Sequence, residues 1–268
     1  MPIAYYDNHL HSCHSFDASD SLTDICEVAI RRGLAGISIT DHCDFGCHKE
    51  PDWRECLLAS VEDTLLAKAQ FSDVLSVFVG IELGQPLFEL PLALEALNTA
   101  PFDVVLCSLH NLSDKEGFYF LGDAENKEAL LWQYFQELLE IVRWNQFDVL
   151  THLTYCCRYF GNATPNPSIR LYEEILRELF KTLAQNGKAL ELNLSGLYNS
   201  RRKKTMPELW ELKLFRESGG ELVSLGSDAH TAQNVGACLK DGIDLLQTAG
   251  FEYQVHFENR LPRLSRIV

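Results

Sequence analysis

The chain has 268 residues, long enough to bury a large core as one big α/β barrel or as two smaller domains. Its 23 basic against 38 acidic side chains leave a formal charge of −15, which argues against broad nucleic-acid binding because affinity for phosphate backbones rests on clustered Lys and Arg. No long uncharged apolar run could span a membrane, and the opening MPIAYYDNH lacks a basic segment followed by an apolar one, so a cytoplasmic protein is expected.

The first element is a strand beginning near Ile3, which runs into Asp7 to Asp17, DNHLHSCHSFD. On an extended strand His9 and His11 share one face about 7 Å apart, near enough to grip one cation. A helix follows with readable ends: Ser21 can cap it, with Asp24 three residues on, Ile25, Val28 and Ala29 form its buried stripe, and Arg31-Arg32-Gly33 closes it. The run GISITDH then reads as a buried strand that delivers Asp41 and His42 at its C-terminal end.

A helical stretch from about Trp53 to Phe71 leads into VFVGIEL, where Glu82 is an acid on an otherwise apolar strand and is costly unless paired or bound to a cation. A shorter helix near Leu92 to Leu97 precedes DVVLCSLHN, a strand ending at His110. Residues Ala124 to Gln146 carry Leu131, Tyr134, Phe135, Leu138 and Val142 at helical spacing, which marks them as core. The strand DVLTHLT ends around His152.

The next helix is expected to start with Asn166 as cap and Pro167 at its first position and to stop at Asn186-Gly187. Its strand, ALELNLSG, bears Glu191, Asn193 and Ser195. A helix from about Pro207 to Glu217 precedes ELVSLGSDAH, a strand ending in Asp228 and His230, and a final helix is expected over roughly Ala232 to Ala249. The tail beyond Phe251 is expected to form a strand-like or irregular segment across the barrel end.

Seven strand candidates, beginning near Ile3, Gly36, Val77, Val104, Val149, Leu190 and Leu222, alternate with helices. That alternation argues for a parallel sheet with helices outside, closed into a barrel. The C-terminal strand ends of such a barrel converge on one face. Six histidines, His9, His11, His42, His110, His152 and His230, fall at or just past such ends, with Asp17, Asp41, Glu82 and Asp228. So many polar groups on one mouth call for cations to neutralise them. The nine cysteines include no CxxC pair and read as reduced thiols; Cys13, Cys43 and Cys107 lie beside the candidate ligands.

These residues also carry a resemblance. The HxH of His9 and His11, the Thr40-Asp41-His42 triplet, Glu82, the SLH ending at His110, the THL around His152 and the SDAH of Ser227 to His230 resemble, in order and spacing, the motifs of the polymerase-and-histidinol-phosphatase (PHP) family. The resemblance covers essentially the whole chain and implies one domain over residues 1–268, a distorted seven-stranded (β/α)7 TIM-like barrel with three divalent metal ions at the C-terminal strand ends. Carried over, it implies one metal on His9, His11, Glu82 and Asp228, a second on Glu82, His110 and His152, and a third on Asp17, His42 and His230. His14 falls out of register with that set. The mixed ligands suit Zn, Mn or Fe about equally.

The function implied is a metal-dependent phosphomonoesterase acting on a small-molecule phosphate ester. A hydroxide held between the metals at Glu82 and Asp228 would attack phosphorus, and Asp41 or His230 would move protons, His42 also lying close to substrate. Arg158 resembles the phosphate-binding arginine of the histidinol-phosphatase branch, and ELNLSGL resembles that branch's ELNTSGLR-type stretch. Where an arginine is expected after Leu197 the chain has Tyr198, which leaves Arg201 or Arg202 to fold back and Asn193 or Ser195 to line the pocket. The expected reaction is hydrolysis of L-histidinol phosphate in histidine biosynthesis. The alternatives are another phosphomonoester, such as a nucleotide, a sugar phosphate or phosphotyrosine, and, outside enzymes, a metal-binding regulatory subunit.

Overall fold

The computed structural model describes residues 3–46, 53–113, 124–161, 166–199 and 203–268. Seven parallel strands form the barrel: β1 (Tyr6–Leu10), β2 (Gly36–Ile39), β4 (Ser76–Gly84), β5 (Val104–Ser108), β6 (Val149–Leu150), β7 (Ala189–Asn193) and β8 (Val223–Gly226), in that order. A short β3 (His42–Asp44), absent from the sequence expectation, pairs in parallel with the second half of β4. The barrel closes at its C-terminal mouth, where Asp228 N donates to His9 O (2.9 Å) and His11 N to Ala229 O (3.0 Å). Lower down the same seam the Asn8 amide donates to Leu225 O (3.2 Å) and Val255 O (3.3 Å), while on its other side β1 shifts register against β2 between Asp7 and Leu10.

The helices α1 (Leu22–Arg31), α2 (Trp53–Gln70), α3 (Leu90–Leu97), α4 (Lys127–Trp144), α5 (Glu173–Gln185), α6 (Ser195–Tyr198), α7 (Leu209–Glu217) and α8 (Leu239–Ala249) follow the strands. Helices α1, α4, α5 and α8 bury an apolar face, whereas α2 leaves Leu58, Leu65 and Leu66 exposed. Ser21 Oγ accepts from Asp24 N at the start of α1, and Leu131, Tyr134, Phe135, Leu138 and Val142 are buried on α4.

Three boundaries differ from expectation. The helix expected from Asn166 begins at Glu173, behind a 3₁₀ turn over Ile169–Tyr172. The cause is tertiary: Asn166 Oδ1 accepts from Lys127 Nζ (2.9 Å) instead of capping. The helix expected from Pro207 begins at Leu209, where Glu211 Oε2 accepts from Glu208 N (2.6 Å). The final helix is interrupted, because Gly236 (φ 72°) and Cys238 (φ 61°) are left-handed and separate a 3₁₀ turn at Ala232–Asn234 from α8.

The tail is regular. β9 (Tyr253–Glu258) and β10 (Leu261–Arg266) form an antiparallel hairpin whose two turn residues, Asn259 and Arg260, both have positive φ, as a tight two-residue turn requires. Val255 and Phe257 pack on Val104, Leu106, Val149 and Ala189, so the hairpin stoppers the floor of the barrel opposite the mouth. Asp103 accepts from Asn259 N (3.1 Å), and Arg260 Nε donates to Asp148, which pins the turn. No described helix is long and apolar enough to cross a membrane.

Candidate metal centre

Glu82 stands at the middle of the mouth because β4 is the longest strand and carries it to the level where the other strands end. Its Oε2 lies 2.9 Å from His42 Nδ1, 3.3 Å from His9 Nε2 and 3.5 Å from His11 Nε2. Its Oε1 lies 2.9 Å from His152 Nε2 and 3.4 Å from His110 Nε2. Asp228 Oδ1 lies 3.5 Å from His11, 3.7 Å from His9 and 3.6 Å from His230, and Asp17 lies 3.5 Å from His42 and 3.2 Å from His230. The nine candidate ligands thus converge, but the four tight clusters among them, His11–His42–His230, His9–His11–Asp228, His9–Glu82–His152 and His42–Glu82–His110, divide them differently from the three groups expected from sequence, and none includes Asp17. Asp228 itself is left-handed (φ 55°), a conformation Asp tolerates better than most residues.

The site fits divalent cations on its own evidence. His9 Nε2, His11 Nε2 and His42 Nδ1 are buried without a hydrogen-bond partner, although each faces a carboxylate oxygen. Orphaned ring nitrogens turned onto shared carboxylates are what a ligand set looks like, and four triads of such atoms lie within 4.8 Å of one another. No cysteine belongs to these groups among the described residues.

Charge balance points the same way. Burial pushes the Glu82 carboxyl up, but His9, His110 and His42 outweigh it and hold it well below the usual carboxylate range. Asp228 is likewise raised by burial and lowered further by His9, His11 and His230. Burial lowers His9, yet Glu191, Glu82 and Asp228 carry it well above 6.5. His11, by contrast, is driven down to about 3 by burial and by the neighbouring His230 and His42. Cations entering this site would displace protons from its histidines.

Two carboxylates not proposed from sequence orient these ligands. Glu191 Oε1 holds His9 Nδ1 at 2.6 Å, and Asp44 Oδ2 holds His110 Nδ1 at 2.8 Å, so that both rings present Nε2 inward. The signal for Glu191 was available: it is an acid on an apolar strand, as Glu82 is. Behind His11 runs a relay, with its Nδ1 3.1 Å from Ser15 Oγ and that hydroxyl donating to Asp41 Oδ1 (2.6 Å).

Asp41 is therefore placed differently from the sequence expectation of a proton-transfer group. It also accepts from Ser12 N (2.7 Å), Ser12 Oγ (2.7 Å) and Ser60 Oγ (2.6 Å) and does not line the cavity over the cluster. Its oxygens are saturated from the protein side. Asn193 and Ser195 are not wall residues either: Asn193 Nδ2 and Ser195 Oγ donate to Asp228 Oδ2 (3.3 and 3.1 Å) from behind. Tyr198 spends its hydroxyl on Ser227 O (2.6 Å). His14 pairs with Asp63 (2.8 Å) away from the cluster. Arg201 and Arg202 lie outside the described residues.

The cavity above the cluster, about 860 Å³, is walled by Asp17, His42, Glu82, His110, His152, Asp228 and His230 and, beside them, by Tyr155, Arg158, Tyr159 and Phe160. Arg158 stands over the Tyr155 ring (5.2 Å) with Nη1 3.8 Å from Asp228 Oδ2. A guanidinium beside a cation-binding cluster in the wall of one cavity suits an anion such as phosphate.

Comparison with known proteins agrees. Residues 7–195 match the PHP domain family. The chain is 29% identical over 252 residues to the histidinol-phosphatase of Lactococcus lactis subsp. lactis, covering 91% of each chain. It is 30% identical over 255 residues to a probable phosphatase of Syntrophotalea carbinolica, covering 92% of this chain and 88% of that one. The crystal structure of histidinol phosphate phosphatase from L. lactis, complexed with zinc, L-histidinol and phosphate, is similar with a TM-score of 0.86 at 26% identity, over 98% of this chain and 100% of that one. With the family matched over most of its length and the barrel and ligand cluster in place, the chain belongs to the PHP domain family.

Proposed function

We propose that the protein is a histidinol-phosphatase, which hydrolyses L-histidinol phosphate to L-histidinol and inorganic phosphate with the help of divalent metal ions. The observation that carries this reading is Glu82, whose two oxygens are shared among five histidines at the base of a cavity with Arg158 in its wall. His9, His11, Asp17, His42, Glu82, His110, His152, Asp228 and His230 would hold up to three ions, zinc being the one bound in the L. lactis structure. Bound divalent ions supply water acidified to near neutral pH and positive charge for the phosphoryl oxygens.

The chain's own groups do the rest. Arg158 binds non-bridging phosphate oxygens from beside Asp228. Glu191, Asp44 and the Ser15–Asp41 relay hold His9, His110 and His11 in the orientation that presents a free lone pair. Of the two groups the sequence offers for moving a proton to the leaving alkoxide, His230 lines the cavity and serves only in the state in which its ring holds no ion, while Asp41 is withdrawn behind its four donors. The whole of residues 1–268 works as one domain on this reading, which is supported by the closure of β8 on β1 and by the hairpin in the barrel floor. A biosynthetic role supports a cytoplasmic location.

A second reading, hydrolysis of another phosphomonoester, is favoured by one residue: Tyr198 stands where the histidinol-phosphatase motif carries an arginine. The test is steady-state turnover of L-histidinol phosphate by protein loaded with Zn, Mn or Fe, against a nucleotide, a sugar phosphate and phosphotyrosine. A kcat/KM at least about tenfold higher for L-histidinol phosphate is expected, and equal or faster turnover of another ester overturns the substrate assignment.

A further inference from the structure

The turn that carries Arg158 is short and needs support from outside. It is one 3₁₀ element, Tyr155–Tyr159, and such turns are poorly stabilised by their own hydrogen bonds. Its near end is fixed to the barrel, where Tyr155 N donates to His152 O (2.7 Å). Its far end runs into Phe160 and Gly161, and there the side chain of Lys127 arrives from the first position of α4. Lys127 Nζ donates to Gly161 O (3.4 Å) and to Asn166 Oδ1 (2.9 Å) and stands 5.5 Å from the centre of the Phe160 ring. Phe160 and Gly161 line the metal cavity together with Tyr155, Arg158 and Tyr159, so the ammonium grips the same stretch of wall that presents the guanidinium. Lys127 is a costly residue for this place. It is 3% exposed, and taking an ammonium out of water is expensive unless its donors are used. It also opens a helix, where the positive end of the dipole disfavours a cation. A neutral side chain would fill the same space without either cost, which singles out the charge as the useful feature.

We propose that Lys127 is a positioning residue for phosphate: by holding Phe160 and Gly161 it fixes the far end of the turn and sets the place of Arg158, and so acts on the substrate without touching it. This rests on the reading of Arg158 as the group that binds phosphate. Arg158 is pinned along its own length by the Tyr155 ring (5.2 Å) and by Asp228 (3.8 Å), and Tyr155 is in turn joined to Tyr159 through their hydroxyls (2.8 Å). The turn therefore moves as a unit, and a slack far end displaces the guanidinium with it. Because the guanidinium meets the same oxygens before and during the reaction, its displacement weakens binding of substrate and transition state alike.

The test uses the zinc-loaded full chain and reads inhibition by inorganic phosphate beside steady-state kinetics on the best ester of the panel above. Lys127→Met keeps the aliphatic stem and removes the charge; KM and the phosphate inhibition constant should both rise at least about fivefold, with kcat and zinc content within about twofold of the parent. Lys127→Arg should restore most of the loss. Asn166→Ala, at an exposed position, should shift both constants the same way by a smaller factor, and carries the test if Lys127→Met does not fold. In an Arg158→Met background Lys127→Met should add less than about twofold, because its effect passes through Arg158. Amide hydrogen exchange at Cys157 and Phe160, which donate to Thr154 O and Cys157 O, should quicken at least about tenfold in Lys127→Met. The proposal is overturned if folded Lys127→Met binds phosphate as the parent does, if its zinc content falls with its phosphate affinity, if the two substitutions multiply, or if exchange in the turn is unaltered. A parent that neither turns over an ester nor binds phosphate overturns the phosphatase reading instead, and exchange in the turn then decides whether Lys127 is the anchor.

Discussion

Replacing Glu191 by Gln perturbs the centre without touching a ligand. Its Oε1 holds His9 Nδ1 at 2.6 Å, while its Oε2 accepts from His152 N (2.7 Å) and Asn193 Nδ2 (3.2 Å). A carboxylate serves both sides because it only accepts; an amide cannot. With its NH2 toward His9, the amide drives the ring proton onto Nε2, the nitrogen needed for metal. With its NH2 toward His152, it sets donor against donor at 1% exposure, where no water relieves the clash. Loss of such an orienting partner costs about 10- to 100-fold in metal affinity or activity, roughly 1.4 to 2.7 kcal/mol. The assay is metal content after equilibration with graded free zinc, read beside kcat and a thermal melt. A zinc midpoint and kcat both within about twofold of the parent, in protein that melts normally, would refute the role given to Glu191.

Asp41→Asn should act on stability first: it weakens four hydrogen bonds and makes the amide face donors, a loss of about 2–3 kcal/mol in urea denaturation, and a variant of undiminished stability with abolished turnover would return Asp41 to the chemistry. Gly226→Ala places a methyl 2.3 Å from Glu191 Oε1 and 2.6 Å from His9 Cβ, so metal content should fall with turnover; retention of both would show that the seam gives way easily. Glu211 sets a pH dependence of stability. Its folded pKa of about 7 exceeds its ordinary 4.5, so between those values the folded state holds more protons than the unfolded one and stability falls as pH rises, by up to about 3 kcal/mol. Glu211→Gln should flatten that slope in chemical unfolding at pH 5 to pH 8, and an unchanged slope contradicts the assignment.

Most of the candidate ligands were legible because they are costly polar residues at the end of an apolar run, a signal that survives without tertiary information; Asp17, seven residues past the end of β1, came only from the family resemblance. The orienting groups were not. In SITDHCDF the sequence offers Asp41 and Asp44 on equal terms, and only the serines arriving from residues 12, 15 and 60 show that Asp41 is enclosed while Asp44 reaches His110. Glu191 carried the right signal, but an acid on an apolar strand announces a partner without naming it. The fold shows the same division. Asn166-Pro167 is a good helix start by local rules and loses to Lys127, a residue 39 positions away. The hairpin turn at Asn259-Arg260 has no glycine to advertise it, so the floor of the barrel read as an unspecified tail.

The seam between β1 and β8 has a consequence for how the protein comes into being. His9 and His11 are made 219 residues before Asp228 and His230 (228 − 9 and 230 − 11), and these residues face each other across the closing hydrogen bonds of the mouth. A ribosome that has passed β7 has already made Glu82, His110 and His152, but the early histidines still lack the strand that joins them to Asp228. On the ligand set proposed above, coordination across the seam would be a clasp that can be fastened only once β8 has been made, and a product truncated before β8 has neither a closed barrel nor a full set of donors. Metal retention thereby becomes a direct readout of whether a molecule has finished folding.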